Sequence, residues 1–193
     1  MRMRKKKNLV PRMERCAAQL IRDPYEHRGH WRDLMPQARE LRVELGCGKG
    51  GFISQLACAH PENNYLGIDI TDKVLILAKR KIEAAYQAAG RPIDNVKIMS
   101  TDIERIKGVI TPEDEVSRIY INFCDPWPTK RHAKRRLTHG NFLKLYRKVL
   151  KDGGQIHFKT DNAPLFAWSV EEIPQFGFTL SEVTDDLHAN GAV

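Results

Sequence analysis

The stretch Leu41-Arg-Val-Glu-Leu-Gly-Cys-Gly-Lys-Gly-Gly51 carries the architecture of this chain. Leu41–Leu45 alternates apolar and polar residues and runs straight into glycines. This is the mark of a strand that turns sharply at its carboxyl end. Phe52–Ala59 then has helical spacing, closed by His60-Pro61. Asn64–Asp69 reads as the next strand. Working outward, Asp72–Ala89 places Val74, Leu75, Ala78, Ile82, Ala85 and Tyr86 on one helical face, and Gly90-Arg91-Pro92 ends it. Val96–Ser100 is a third strand, with a short helix predicted from Asp102 to Val109 and a turn at Thr111–Asp114. Val116–Cys124 reads as a central strand buried on both faces. Phe142–Leu150 is a predicted helix stopped by Asp152-Gly153-Gly154. Gln155–Thr160 is a fifth strand, Pro164–Glu172 a helix, and Phe176–Val183 contains a sixth strand.

This alternation predicts an α/β fold: a mostly parallel, twisted sheet of Rossmann-like type with helices on both faces. Ligands in such sheets sit outside the carboxyl ends of the strands. Polar and glycine residues should therefore gather just after each strand. They do, at Gly46–Gly51, Asp69, Asp102, Asp125 and Asp161.

The 193 residues suggest one domain with a short arm, divided as 1–35 (a basic N-terminal arm and helix) and 36–193. The four cysteines, Cys16, Cys47, Cys58 and Cys124, form no Cys-x-x-Cys pair and lack a histidine at zinc spacing. They read as reduced thiols of a cytoplasmic protein, and no metal site is expected. No apolar run approaches the roughly 18 residues of a membrane span, and the basic start Met1–Lys7 lacks the apolar core of a secretory signal. The net charge of +8 favours a polyanionic partner. Basic residues concentrate at Arg2–Lys7 and at Lys130-Arg-His-Ala-Lys-Arg-Arg136, where five of seven positions are Lys or Arg.

Gly46, Gly48 and Gly51 satisfy Gly-x-Gly-x-x-Gly, so the glycines alone fit a dinucleotide or S-adenosylmethionine. Glu44 tilts the choice. A carboxylate two residues before the first glycine would repel a pyrophosphate but suits a cationic amino-acid moiety. Asp69, ending the second strand, can accept hydrogen bonds from ribose hydroxyls. Asp102 follows the third strand, placed to meet an adenine amino group. Asn122-Phe-Cys-Asp125-Pro-Trp-Pro128 is a rigid turn, because each proline fixes its own backbone and restricts the residue before it. It holds one carboxylate, Asp125, beside one large ring, Trp127, which could stack on a base. Asp161 belongs with them after the fifth strand, although Lys159 could hold it in an ion pair. Neither a nucleophile nor an acid–base pair stands out.

Glu-x-Gly-x-Gly-x-Gly at Glu44–Gly50 resembles the first motif of class I methyltransferases. Together with Met1-Arg-Met-Arg, Asp125-Pro-Trp-Pro, Arg131-His-Ala-Lys-Arg-Arg-Leu137 and Phe158-Lys-Thr-Asp161, it resembles the bacterial tRNA (guanine-N7-)-methyltransferase family over nearly the whole chain. The resemblance implies transfer of a methyl group from S-adenosylmethionine to a guanosine in the tRNA variable loop. It implies Glu44, Gly46, Gly48, Gly50, Asp69, Asp102 and Asp125 at the cofactor, with Asp125 also catalytic. Trp127, Lys130, Arg131, Arg135, Arg136 and Asp161 would meet the tRNA. Two departures stand out. The family's lysine after the Asp-Pro-Trp-x turn is Thr129 here, with Lys130 next. The family also continues past Asp186-Leu-His188 into a Thr-x-x-Glu-like segment, so a chain shortened at its C-terminus is expected. The alternatives are an RNA-binding protein of this fold with weak turnover, and an adenine amino-group methyltransferase. Trp127 argues against the latter, whose Pro-Pro motif it interrupts. A monomer and a homodimer are equally compatible with the sequence.

Overall fold

The computed structural model describes residues 19–35 and 40–186. Six strands form one sheet: β1 (Leu20–Ile21), β2 (Leu41–Leu45), β3 (Asn64–Asp69), β4 (Val96–Ser100), β5 (Val116–Asn122) and β6 (Leu150–Lys159). Their order is β1-β4-β3-β2-β5-β6, and every neighbouring pair is parallel. From β2 the chain moves outward through β3 to β4, then crosses back to β5 on the other side of β2. The strand order therefore switches direction at the carboxyl end of β2, where the glycines begin.

Composition explains the strand positions. Leu41, Val43 and Leu45 of β2, and Val116, Ile119 and Ile121 of β5, are fully buried, as a sheet covered on both faces requires. In β6 half-buried Ile156 and Phe158 alternate with exposed Gln155, His157 and Lys159, the pattern of an outer strand. That strand starts earlier than predicted. Val116 pairs with Leu150 and Arg118 with Gln155, so Asp152-Gly153-Gly154 lies in an irregularity within β6. β5 ends at Asn122, two residues short of the prediction.

Helices α1 (Gly51–Ala59) and α2 (Asp72–Ala88) cover the sheet. Ile53, Ala57, Leu75, Ala78, Ile82 and Tyr86 form one buried cluster with Cys47 and Ile98. Gly50 is essential to it. Its φ is +71°, and a Cβ there would lie 2.7 Å from the Cα and Cβ of Ala78.

Before β2, Trp31 is fully buried and its indole N–H donates to the Val109 carbonyl (2.8 Å). Buried Asp114 accepts from the backbone N–H groups of Thr111 (2.9 Å), Gly29 (3.1 Å) and Trp31 (3.2 Å). One carboxylate thus satisfies three amides on two segments. Asp114→Ala would leave those donors unpaired in the interior. It is expected to cost about 2–4 kcal/mol of stability, read by chemical denaturation. A loss below about 0.5 kcal/mol would refute this role.

The chain divides into two compact units. One holds the described residues up to Asn122 together with Leu145–Lys159, and so contains the whole sheet. The other holds Phe123–Lys144 and the described residues from Thr160 onward. In the second unit, Thr138 and Ser169 share a buried hydroxyl–hydroxyl bond (2.7 Å). Helix α3 (Gly140–Val149) starts there, with the Gly140 N–H donating to the Glu172 carboxylate (3.0 Å) at the end of helix α4 (Ala163–Glu172).

The sixth strand expected within Phe176–Val183 does not form. Ile173–Phe176 is a 3-10 turn, Gly177 follows at φ +81°, and residues 178–183 make no ladder with any described strand. The half-buried Phe176, Phe178 and Leu180 explain the misleading alternation. Alternation records a chain with one face covered, whereas a strand also needs a neighbour to receive its backbone bonds. The basic segment Arg2–Lys7 and the residues after Asp186 lie outside the described residues.

Candidate active site

In the first unit, β2 delivers Glu44 and then the glycine turn. The N–H groups of Gly46 and Cys47 both donate to the Ile68 carbonyl (2.8 and 2.9 Å), which pins the turn to the end of β3. Gly46, Gly48 and Gly50 adopt φ of +75°, +52° and +71°. Left-handed backbone at every second position is what glycine permits and other residues resist. Asp69 closes the arrangement. One oxygen accepts from the Gly48 N–H (3.0 Å) and the other from the Thr71 N–H (2.8 Å). A carboxylate accepts about four bonds, so Asp69 keeps capacity for a ligand after holding the turn. The Thr101 N–H donates to the Asp69 carbonyl (3.1 Å), which sets Asp102 beside it in the chain. Asp102 itself accepts from the Glu104 N–H (2.9 Å) and caps the 3-10 helix Ile103–Gly108.

Glu44 is the outstanding group. It is only 4% exposed. Its Oε1 accepts from the Asn122 side chain (3.2 Å), while its Oε2 is buried without a partner. Burial drives its pKa up to about 7, the nearby Asp69 charge pushes the same way, and Asn122 and the Ile53 amide oppose them. A buried carboxylate with an idle oxygen is costly unless a cation or donor arrives. Sequence pattern alone assigns no role to Asn122. A polar residue ending an apolar strand was the available signal.

In the second unit, Phe123–Pro128 is a strained corner. Phe123 (φ +52°) and Trp127 (φ +43°) are large residues in the left-handed region. They bracket exposed Asp125. Strain of about 1–3 kcal/mol per residue persists where the surroundings enforce it, and it concentrates at functional sites. The guanidinium of Arg135 lies over the Trp127 ring at 4.9 Å, and His132 meets that ring edge-on at 5.8 Å. Thr129, at the departure from the family pattern, shares a hydrogen bond with the His132 ring (2.9 Å). Lys130, Arg131, Lys134 and Arg135 are exposed on the 3-10 helix Lys130–Arg135. Arg136, which the resemblance implies as a tRNA contact, differs from them: it is half-buried and its guanidinium bonds to backbone carbonyls. Asp161 is exposed, and its neighbour Asn162 caps α4 through the Leu165 N–H (2.9 Å).

Neither Cys47 nor Cys124 is poised as a nucleophile. Burial pushes Cys124 up to about 11, helped by the Asp125 charge, and burial also raises Cys47. Among the described residues no group of three His, Cys, Asp or Glu could hold a metal ion, and no helix is long and apolar enough to cross a membrane. The structure thus gathers Glu44, Gly46, Gly48, Gly50, Asp69 and Asp102 at one end of the sheet, and Asp125, Trp127, Arg135 and Arg136 within the second unit.

A family described as "Putative methyltransferase" matches residues 38–192. The tRNA (guanine-N(7)-)-methyltransferase of Acetivibrio thermocellus is 45% identical over 191 residues, covering 99% of this chain and 87% of the relative. The protein of the same description from Clostridium beijerinckii is 47% identical over 188 residues, covering 97% and 85%. Among solved structures, the 16S rRNA methyltransferase KamB superposes with a TM-score of 0.55 at 15% identity, covering 79% of this chain and 75% of that one. That likeness speaks to the fold, and the sequence matches speak to the lineage: the chain belongs to the bacterial tRNA (guanine-N7-)-methyltransferase family.

Proposed function

We propose that this protein is an enzyme that moves a methyl group from S-adenosylmethionine to N7 of a guanosine in the variable loop of tRNA, in the cytoplasm. Beside the family match, one observation carries the reading: the idle, buried Glu44 Oε2 next to a left-handed glycine turn. A cationic amino group would complete that oxygen, which is the fit a sulfonium-bearing amino acid requires. A pyrophosphate would be repelled by it. When bound, S-adenosylmethionine supplies a methyl group already activated by its sulfonium charge.

The chain's own residues then need only bind and orient. Glu44 takes the cationic amino group, Asp69 the ribose hydroxyls, and Asp102 the adenine surroundings. The glycine backbone, without Cβ atoms, allows close approach. Guanine N7 presents a lone pair in the neutral base, so no general base is needed. As the base gains positive charge, a fixed carboxylate favours that charge. Asp125 fills this role, presented by its strained corner. Trp127 contributes a stacking surface, and Asp161 a further contact to the base. Lys130, Arg131 and Arg135 attract the phosphate backbone. Residues 36–193 carry the site residues in this reading, and 1–35 precede them, contributing β1 and the buried Trp31 to the sheet unit.

Two measurements test it. Calorimetry should show binding of S-adenosylmethionine, and an absence of affinity would sink the cofactor assignment. The double variant Arg131→Ala/Arg135→Ala should weaken tRNA binding and lower the slope of log affinity against log salt by roughly one per lost phosphate contact. An unchanged slope would mean that these cations do not meet RNA.

A further inference from the structure

The corner that presents Asp125 is improbable by its own chemistry. Trp127 precedes Pro128, and a residue before proline is pushed toward extended backbone. Trp127 nonetheless sits at φ +43°, and Phe123 at φ +52°. Pro126 and Pro128 have no backbone N–H, so neither can stabilise the corner by donating. Something else must hold it.

Arg136 does. Its Nε donates to the carbonyls of Pro126 (3.2 Å) and Trp127 (3.3 Å), and a terminal guanidinium nitrogen donates to Trp127 again (3.1 Å). Its guanidinium also lies over the Trp168 ring at 4.5 Å. The Trp168 ring stacks on His139, with centroids 6.1 Å apart and planes at 16°. The Arg136 N–H is tied to the Ala133 carbonyl (2.9 Å), so its backbone is fixed as well. The loop from Pro126 to Arg136 is thereby closed on itself and braced against α4.

We infer that Arg136 is the positioning residue of the Asp125 corner, holding the strained Pro126–Trp127 backbone through its carbonyls, and that it is not a phosphate contact like the exposed cations before it. The inference rests on the assignment of Asp125 to catalysis. Only a planar fork can bridge two carbonyls while stacking on an indole. A lysine keeps the charge but loses both features.

Arg136→Lys separates the two roles. Saturating single-turnover methyl transfer to unmodified tRNA should fall about 10- to 100-fold, as small misplacements of a reacting group do. The tRNA Kd and its salt slope should stay near wild type, because the charge is retained and was never on the phosphates. Should this variant fold poorly, Trp168→Leu removes only the stacking platform and should show the same split, with a smaller rate loss. A wild-type rate in either folded variant would overturn the inference. So would a flattened salt slope in Arg136→Lys. Asp125→Ala assayed in parallel distinguishes the failures. If it too turns over normally, the catalytic assignment falls; if it is inactive while Arg136→Lys is normal, only the positioning role falls.

Discussion

Asp125→Ala should reduce saturating methyl transfer by about a thousandfold or more, the scale seen when a preorganised electrostatic partner is removed. The fold should survive, because Asp125 is exposed and surface truncations rarely move stability by more than about 0.5 kcal/mol. Affinity for tRNA should change little, since cations supply most of it. This combination distinguishes a group that acts on the developing charge from one that shapes the corner. Arg136, through its bonds to the Pro126 and Trp127 carbonyls, holds the backbone whichever residue occupies position 125. Single-turnover kinetics with excess enzyme provide the measurement. A near-normal rate would remove Asp125 from the mechanism.

Glu44→Gln should move stability and donor binding in opposite directions. The folded carboxyl titrates near 7 against an ordinary 4.5, because burial disfavours its charge. Between those values the unfolded chain has lost the proton that the folded chain retains. Stability therefore falls as pH rises from about 4.5 to about 7, and the cost of roughly 3 kcal/mol is fully present at pH 8. Removing the charge should stabilise the free protein at pH 8 by about 1–3 kcal/mol, less whatever the new amide leaves unpaired. It should also flatten the pH profile of stability between 5 and 8. Affinity for S-adenosylmethionine should drop about tenfold or more, because the amide cannot pair with a cationic amino group. In the wild type, that affinity should weaken below pH 7 as Glu44 takes up its proton. Denaturant melts at pH 5.5 and 8, with calorimetry at both, check all of this. A Gln variant that binds the donor normally would contradict the assignment.

Much of this was legible in the sequence. Leu41–Leu45, Asn64–Asp69 and Val96–Ser100 appear as strands with the bounds read from their apolar runs, and Gly46, Gly48 and Gly50 adopt the positive φ that their spacing demanded. Periodicity and glycine chemistry are local, so they survive reading in one dimension. Features that depend on distant partners did not. β1 has only Leu20 and Ile21, too few to show a period, and it exists because Ile98 and Met99 accept it. Residues 176–183 had the period of a strand but found no neighbour. Arg136 stood last in a run of cations, and composition cannot tell which of them turns inward. The second duty of Asp69, holding Gly48, was also hidden, because it joins segments 21 residues apart.

The most direct measurement incubates the protein with methyl-labelled S-adenosylmethionine and unmodified tRNA, then digests the RNA and identifies the labelled nucleoside. A donor-binding fold with a preorganised carboxylate at the Asp125 corner should yield 7-methylguanosine. Labelled N6-methyladenosine, or firm tRNA binding with no labelled product, would contradict it.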